Sequence, residues 1–271
     1  MAKDKGRRVW EVDFLRGLMI LFVVWDHTLN DIRVDAGGNY KTALFQALYD
    51  FSCNYSASTL RAVCQPIIVD IFIFTAGLSC SFSKNNFNRA LKLMAVSLFL
   101  TFGGFVASIV FKRHMVIYFN VIHCIALSVF LWSVIDRLWG KCGSNWQKNI
   151  FGTAMAATVI TALVVGYCAK SQPWTSDNSH WFFLAQHSGE SYSHFTSMDY
   201  RTFFPDFAWF LMGAFLGRAL YREKKTLFPS VNPKYLAPVT YLGRRTLIIY
   251  FVSKMLTYGF VYLFHGILDV L

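Results

Sequence analysis

The sequence predicts an all-α, polytopic membrane bundle, and three observations carry that expectation. Hydrophobic residues make up 55% of the 271-residue chain and charged residues only 15%, against about 45–50% and about 25% in soluble domains. Apolar runs of about 20 residues, the length that crosses a bilayer as a helix, recur along it. The Lys and Arg residues alternate by loop, dense on one side and sparse on the other, so the net charge of +11 records orientation rather than a nucleic-acid surface. The expected partner is the lipid bilayer, and no nucleic acid is expected.

Seven runs read as spans: residues 10–32, 63–82, 91–111, 115–138, 149–169, 205–221 and 244–265. Between the first two, Ala43, Leu44, Ala47, Leu48 and Phe51 stand at helical spacing, which predicts a short interfacial helix over residues 42–53. The first run is too long and too charged for a cleaved signal and reads as retained. These runs leave no room for a separate soluble domain, so residues 1–271 read as a single membrane domain. Lys3, Lys5, Arg7 and Arg8 join the basic loops after the second, fourth and sixth spans on one side. The positive-inside rule then places the amino terminus in the cytoplasm of a multi-pass protein of the cell's inner membrane.

Six cysteines at positions 53, 64, 80, 124, 142 and 168 show no metal spacing. Cys53 and Cys64 fall on the same outer side, where a bridge between them is left open. His180, His187 and His194 recur every seven residues without a supporting cysteine or carboxylate, so no metal is expected. Gly213 and Gly217 form a small-xxx-small pair and predict close helix packing.

The polar residues inside the spans bear on function, because ionisable groups at membrane depth are costly and mark functional sites by default. At about 1.5 Å of rise per residue, His27, Asp70, His123 and Asp206 all fall in the outer half of the bilayer. Arg16 lies toward the cytoplasmic end of the first span. It stands eleven positions before His27, about 16 Å of axis and about 20° beyond three full turns, so the two share a face. A stripe with a cation at one end and an imidazole at the other suits a long ligand, anionic at one end and reactive at the other.

The spacing of Arg16-Gly17 and His27 resembles the arginine and histidine signature of the acyltransferase type 3 family. More of the chain is similar to the bacterial relatives of heparan-alpha-glucosaminide N-acetyltransferase. The segments that carry this resemblance are Trp10 to Gly17, Phe74 to Ser83 leading into Lys84-Asn85-Asn86 and Arg89, Phe119-Asn120-Val121-Ile122-His123, Phe204 to Phe210 with Gly213 and Gly217, and Leu242 to Tyr250. Asn120, Ala208 and Ser253 depart from the family's usual glycine, proline and histidine.

This resemblance implies a membrane acyltransferase that takes an acetyl group from acetyl-CoA, or a related acyl-CoA, on the cytoplasmic side. The acceptor would be an amine or hydroxyl of a carbohydrate or glycoconjugate on the far side. His27 would be the general base, as an imidazole with an unperturbed pKa of about 6.5 suits that task. His123 would share that role, donate to the leaving thiolate or carry an acyl group, and Asp70 would fix a histidine tautomer or hold the acceptor. Arg16 would bind the pantetheine amides or phosphates of CoA or else pair with Asp13 one turn away. Lys84, Asn86, Arg89, Arg244 and Arg245 would clamp the nucleotide end. Asp26, Asp199, Asp206 and Trp181 are candidates for the acceptor. Two other readings stand beside this one, a proton-coupled transporter of small molecules and a catalytically inactive acyl-CoA sensor. The sequence also admits a homo-oligomer.

Overall fold

The computed structural model describes residues 9–35, 42–112, 114–171, 183–184, 199–221 and 223–268. Among the described residues the secondary structure is helical throughout. Helix α1 (Trp10–Asp35) carries Glu11 and Asp13 in its first turn and Arg33 in its last, which complements the helix dipole at both ends. The interfacial run is α2 (Ala43–Ala57). Helix α3 (Thr59–Leu78) closes in a 3-10 turn over Ser79–Ser81. Helix α4 (Asn86–Phe111) starts where the Asn85 side chain accepts the Asn88 amide, and it stops at Lys112, whose φ of 51° is left-handed.

Helices α3 and α4 start four and five residues before the expected 63 and 91, and caps explain two further shifted starts. Helix α5 (Val121–Gly140) starts at 121 rather than 115 because the Asn120 side chain accepts the Ile122 and His123 amides while the His123 ring accepts the Asn120 amide. Helix α6 (Asn145–Lys170) starts at 145 rather than 149 because Ser144 and Gln147 make the same reciprocal pair. Helix α7 (Asp206–Leu220) is followed by a 3-10 turn (Pro233–Leu236), α8 (Ala237–Arg244) and α9 (Thr246–Leu268).

Segments Thr59–Ser81, Asn86–Val110, Val121–Gly140 and Asn145–Ala169 are long and apolar enough to cross a membrane, and the fold is that of a polytopic helical membrane protein. The chain packs as two compact units, Met1–Phe72 with Lys224–Leu271, and Ile73–Glu223. In the first, α1 lies against α8 and α9. A Cβ on Gly17 would run into the Val239 carbonyl, and one on Gly243 into the Asp13 carbonyl. Glycine at both positions is what lets these two backbones touch.

In the second unit α5 and α7 supply the core, with Cys124, Ala126, Val129, Ala208, Phe210, Leu211 and Ala214 buried. A Cβ on Gly77 would meet the Phe210 carbonyl, and one on Gly213 the Phe74 carbonyl, so the close packing read from Gly213 and Gly217 is present. Only 6% of the apolar window of α4 is buried, against 44% for α5. Helix α4 therefore turns Phe99, Phe102, Phe105 and Val110 outward, the face a bilayer would cover. Cys53 and Cys64 are unbridged.

Candidate functional site

In the first unit three acids of α1 are each met by a base from another helix. Asp13 accepts from Arg244 Nε at 3.0 Å. Asp26 accepts from Arg61 Nε at 2.6 Å and Nη2 at 3.2 Å, and from the Tyr55 hydroxyl at 3.3 Å. Asp31 accepts from Lys254 Nζ at 3.0 Å on both carboxylate oxygens. Asp26 and Asp31 are buried, and such pairs hold helices together because removing one partner strands the other's charge.

Arg16 and His27 both look toward α9. Arg16 Nη2 donates to the Thr246 hydroxyl at 3.2 Å, and the His27 ring meets Tyr250 edge-on at 5.7 Å between centroids. Positions 246 and 250 are four apart and lie on one face of α9, so this helix reads both ends of the α1 stripe. The alternative pairing of Arg16 with Asp13 is displaced, as Asp13 holds Arg244. That ion pair also competes with the clamp role assigned to Arg244, while Arg245 stacks on Tyr241 at 4.6 Å. Asp70 is half-buried on α3.

The second unit contains a polar cavity of about 500 Å³. Its walls come from the 3-10 turn after α3, the start of α4 and the ends of α5 and α7, and include Lys84, Asn86, Trp132, Asp136, Arg137, Arg218 and Tyr221. Three cations face one acid there, and the positive end of the α4 dipole adds to them. Arg218 pairs with Asp136 and stacks over Trp139 at 4.9 Å, and Arg137 lies over Phe87 at 5.2 Å. Asn86 Nδ2 donates to the Cys80 carbonyl at 3.1 Å, whereas its buried Oδ1 has no partner among the described residues. Such a cavity suits an anionic ligand that also carries a hydrogen-bond donor.

Of the basic residues expected to clamp a nucleotide, Lys84 lines this cavity together with Asn86. Arg89 turns inward instead, its guanidinium 3.7 Å from Cys80 Sγ and 3.5 Å from the Ala76 carbonyl. Arg137, Arg218 and Asp136 were not singled out by the sequence reading, which counted the two arginines as orientation charge. An acid directly beside Arg137 on the basic side of the membrane was the available signal.

At the other end of this unit, Asp206 is buried and held by Arg201, Nε to Oδ2 at 3.0 Å and Nη2 to Oδ1 at 2.9 Å, so both its oxygens are already engaged. Asp199 takes a left-handed φ of 52°, and burial pushes the phenol of the neighbouring Tyr200 up from its usual range. Trp181 lies outside the described residues. His123 is tied on both ring nitrogens: Nδ1 accepts the Asn120 amide and Nε2 lies 3.0 Å from the Thr101 hydroxyl. That hydroxyl donates to the Ile117 carbonyl at 2.7 Å, and Nδ1 also lies 2.8 Å from Asn120 Oδ1, so the ring bridges α4 and α5. Acting as an acid, base or nucleophile would require it to give up one of these bonds.

The fold and these ionisable residues define a polytopic helical membrane protein with polar groups set among its helices. The family model described as "Heparan-alpha-glucosaminide N-acetyltransferase, catalytic" matches residues 8–255, and the chain belongs to this family of membrane acetyltransferases. No curated protein and no solved structure matches it.

Proposed function

We propose that the protein moves an acetyl group from acetyl-CoA, or a close acyl-CoA, in the cytoplasm to an amine or hydroxyl of a carbohydrate-like acceptor on the opposite face of the inner membrane. In this reading the amino terminus is cytoplasmic, the chain forms one domain, and the runs of α1, α7 and α9 cross the bilayer together with the four long apolar helices. The observation that carries the proposal is the α1 stripe. Arg16 and His27, about 16 Å apart along the axis, both contact one face of α9, so a thioester carrier laid along this stripe would meet a cation at one end and an imidazole at the other.

His27 takes the proton as the acceptor's nitrogen or oxygen attacks the thioester carbonyl. The tetrahedral intermediate then collapses, the C–S bond breaks, and the CoA thiolate leaves. Asp70 orients a histidine or the acceptor. Arg16 holds the pantetheine arm or phosphates; within the second unit, taken by itself, the cavity of Lys84, Asn86, Arg137 and Arg218 is the other place that suits phosphate, by charge-assisted and amide bonds. Engagement of Asp26 and Asp206 by arginines gives them first a structural part, and an acceptor role for either would have to use oxygen lone pairs left over from those bonds.

The experiment is transfer of radiolabelled acetyl from acetyl-CoA by the purified, reconstituted chain. His27→Ala is expected to lower turnover by about 10²- to 10⁴-fold, the usual weight of a general base, with acetyl-CoA binding little changed. Arg16→Ala is expected to weaken binding instead. Full activity of the His27 variant would remove the base assignment. Binding without turnover in the parent protein would favour the sensor reading, and ion-gradient-driven uptake into vesicles the transporter.

A further inference from the structure

We infer that residues 224–245 form a docking surface for anionic phospholipid headgroups. This stretch of 22 residues holds five Lys or Arg and no Asp or Glu; Arg244 is engaged by Asp13 and Arg245 lies on Tyr241, so the lysines carry the charge of the surface. It lies between α7 and α9, outside the long apolar spans, yet it exposes large apolar groups: Leu227 at 44%, Phe228 at 52%, Val231 at 41% and Tyr235 at 86%. Lys224 and Lys234 are exposed among them. Apolar groups and cations interleaved on one exposed segment match a surface that offers hydrocarbon and negative charge together. A soluble anion offers only the second.

The segment is also held at the right level. Both carboxylate oxygens of Glu11, in the first turn of α1, take bonds from it, from the Leu227 amide at 2.7 Å and the Thr226 hydroxyl at 2.9 Å. Trp10 packs on Phe228 at 6.4 Å between centroids. The surface is thereby fixed beside the first turn of α1, which in the proposed topology is where this helix leaves the hydrocarbon. Tyrosine is enriched at that boundary because its ring is apolar and its hydroxyl is wet. This inference does not depend on which acyl donor or acceptor the protein uses.

The test uses the full-length chain in nanodiscs of neutral phosphatidylcholine, with and without phosphatidylglycerol. Retained lipid is counted by native mass spectrometry and the unfolding midpoint is followed by fluorescence. The parent protein is expected to retain phosphatidylglycerol in preference to phosphatidylcholine and to melt higher when it is present. Each cation near a charged leaflet is worth about a fivefold change in binding, so Lys224→Gln, Lys234→Gln with Tyr235→Ser should lower that retention by roughly tenfold or more and abolish the gain in midpoint. The charge-conserving pair Lys224→Arg and Lys234→Arg should keep both, as should the exposed control Lys148→Gln. Undiminished retention in the triple variant, an equal loss in either control, or an equal gain from inorganic phosphate in neutral discs would overturn the inference.

Discussion

The two units solve the same problem, polar groups at membrane depth, in opposite ways. The first unit pairs its charges between helices: Asp13 with Arg244, Asp26 with Arg61 and Asp31 with Lys254, all on α1. The second unit has one such buried pair, Asp206 with Arg201, and otherwise builds its core from small and apolar residues. It brings backbones together at Gly77 and Gly213, caps α5 with Asn120 and His123, and leaves Lys84, Arg137 and Arg218 around a cavity. Pairing fixes helices against each other and sets Arg16 and His27 apart as the α1 ionisable groups that the proposal assigns to the ligand. Close packing of small residues needs no charge for cohesion, so the cations at its margin line the cavity, with Arg218 balanced by Asp136.

The largest effect that would test this contrast is in the second unit. Gly213→Leu must push a side chain into the Phe74 backbone, and a rigid backbone neighbour cannot move aside as a flexible side chain would. Overpacking ordinarily costs about 1–3 kcal/mol, and at a backbone-to-backbone crossing the loss should reach or exceed the upper end of that range, read as loss of monodisperse protein in size-exclusion chromatography. Next comes the first unit. Arg61→Leu leaves the buried Asp26 carboxylate without its cation, which should destabilise by about 3–5 kcal/mol. Combining it with Asp26→Leu should recover most of that in a thermal-unfolding series. Failure of the double variant to recover would mean that Asp26 serves something besides the pair.

Much of this plan is legible in the sequence because bilayer physics writes it in long runs. Spans, the interfacial helix and the glycine packing follow from length and period, and the α1 stripe follows from the spacing of residues 16 and 27. What could not be read is partner choice across helices. Asp13 lies one turn from Arg16 and looks like its partner, yet the close approach allowed by Gly17 and Gly243 brings Arg244 to it instead. Arg89 is as basic as Arg137, but only the fold decides that one turns toward Cys80 and the other toward the cavity. Similarly, His123 looks chemical as a lone histidine in a span. Its use as a cap depends on Asn120, and its second ring nitrogen is taken by Thr101, 22 positions away.

The smallest expected effect is the sharpest test of the cavity. The side chains of Arg218 and Asp136 are 41% and 45% exposed, so their ion pair is worth about 0–1 kcal/mol and its loss should barely move the unfolding midpoint. Its meaning for a ligand is different, because among the described residues Asp136 is the one acid on a wall with three cations. Arg218→Gln removes a cation and leaves that acid uncompensated, so acetyl-CoA affinity should fall by about tenfold, the scale of one lost charge-assisted bond. Asp136→Asn does the reverse, releasing Arg218 and removing a repulsive charge, and should tighten binding by a few-fold at low salt with the gain fading as ionic strength screens it. Calorimetric titration of both variants gives a signed prediction that a structural role for the pair would not produce. If the two shifts do not run in opposite directions, the cavity is not where the donor's phosphates bind, and the contrast between a paired unit and a ligand-facing one loses its functional half.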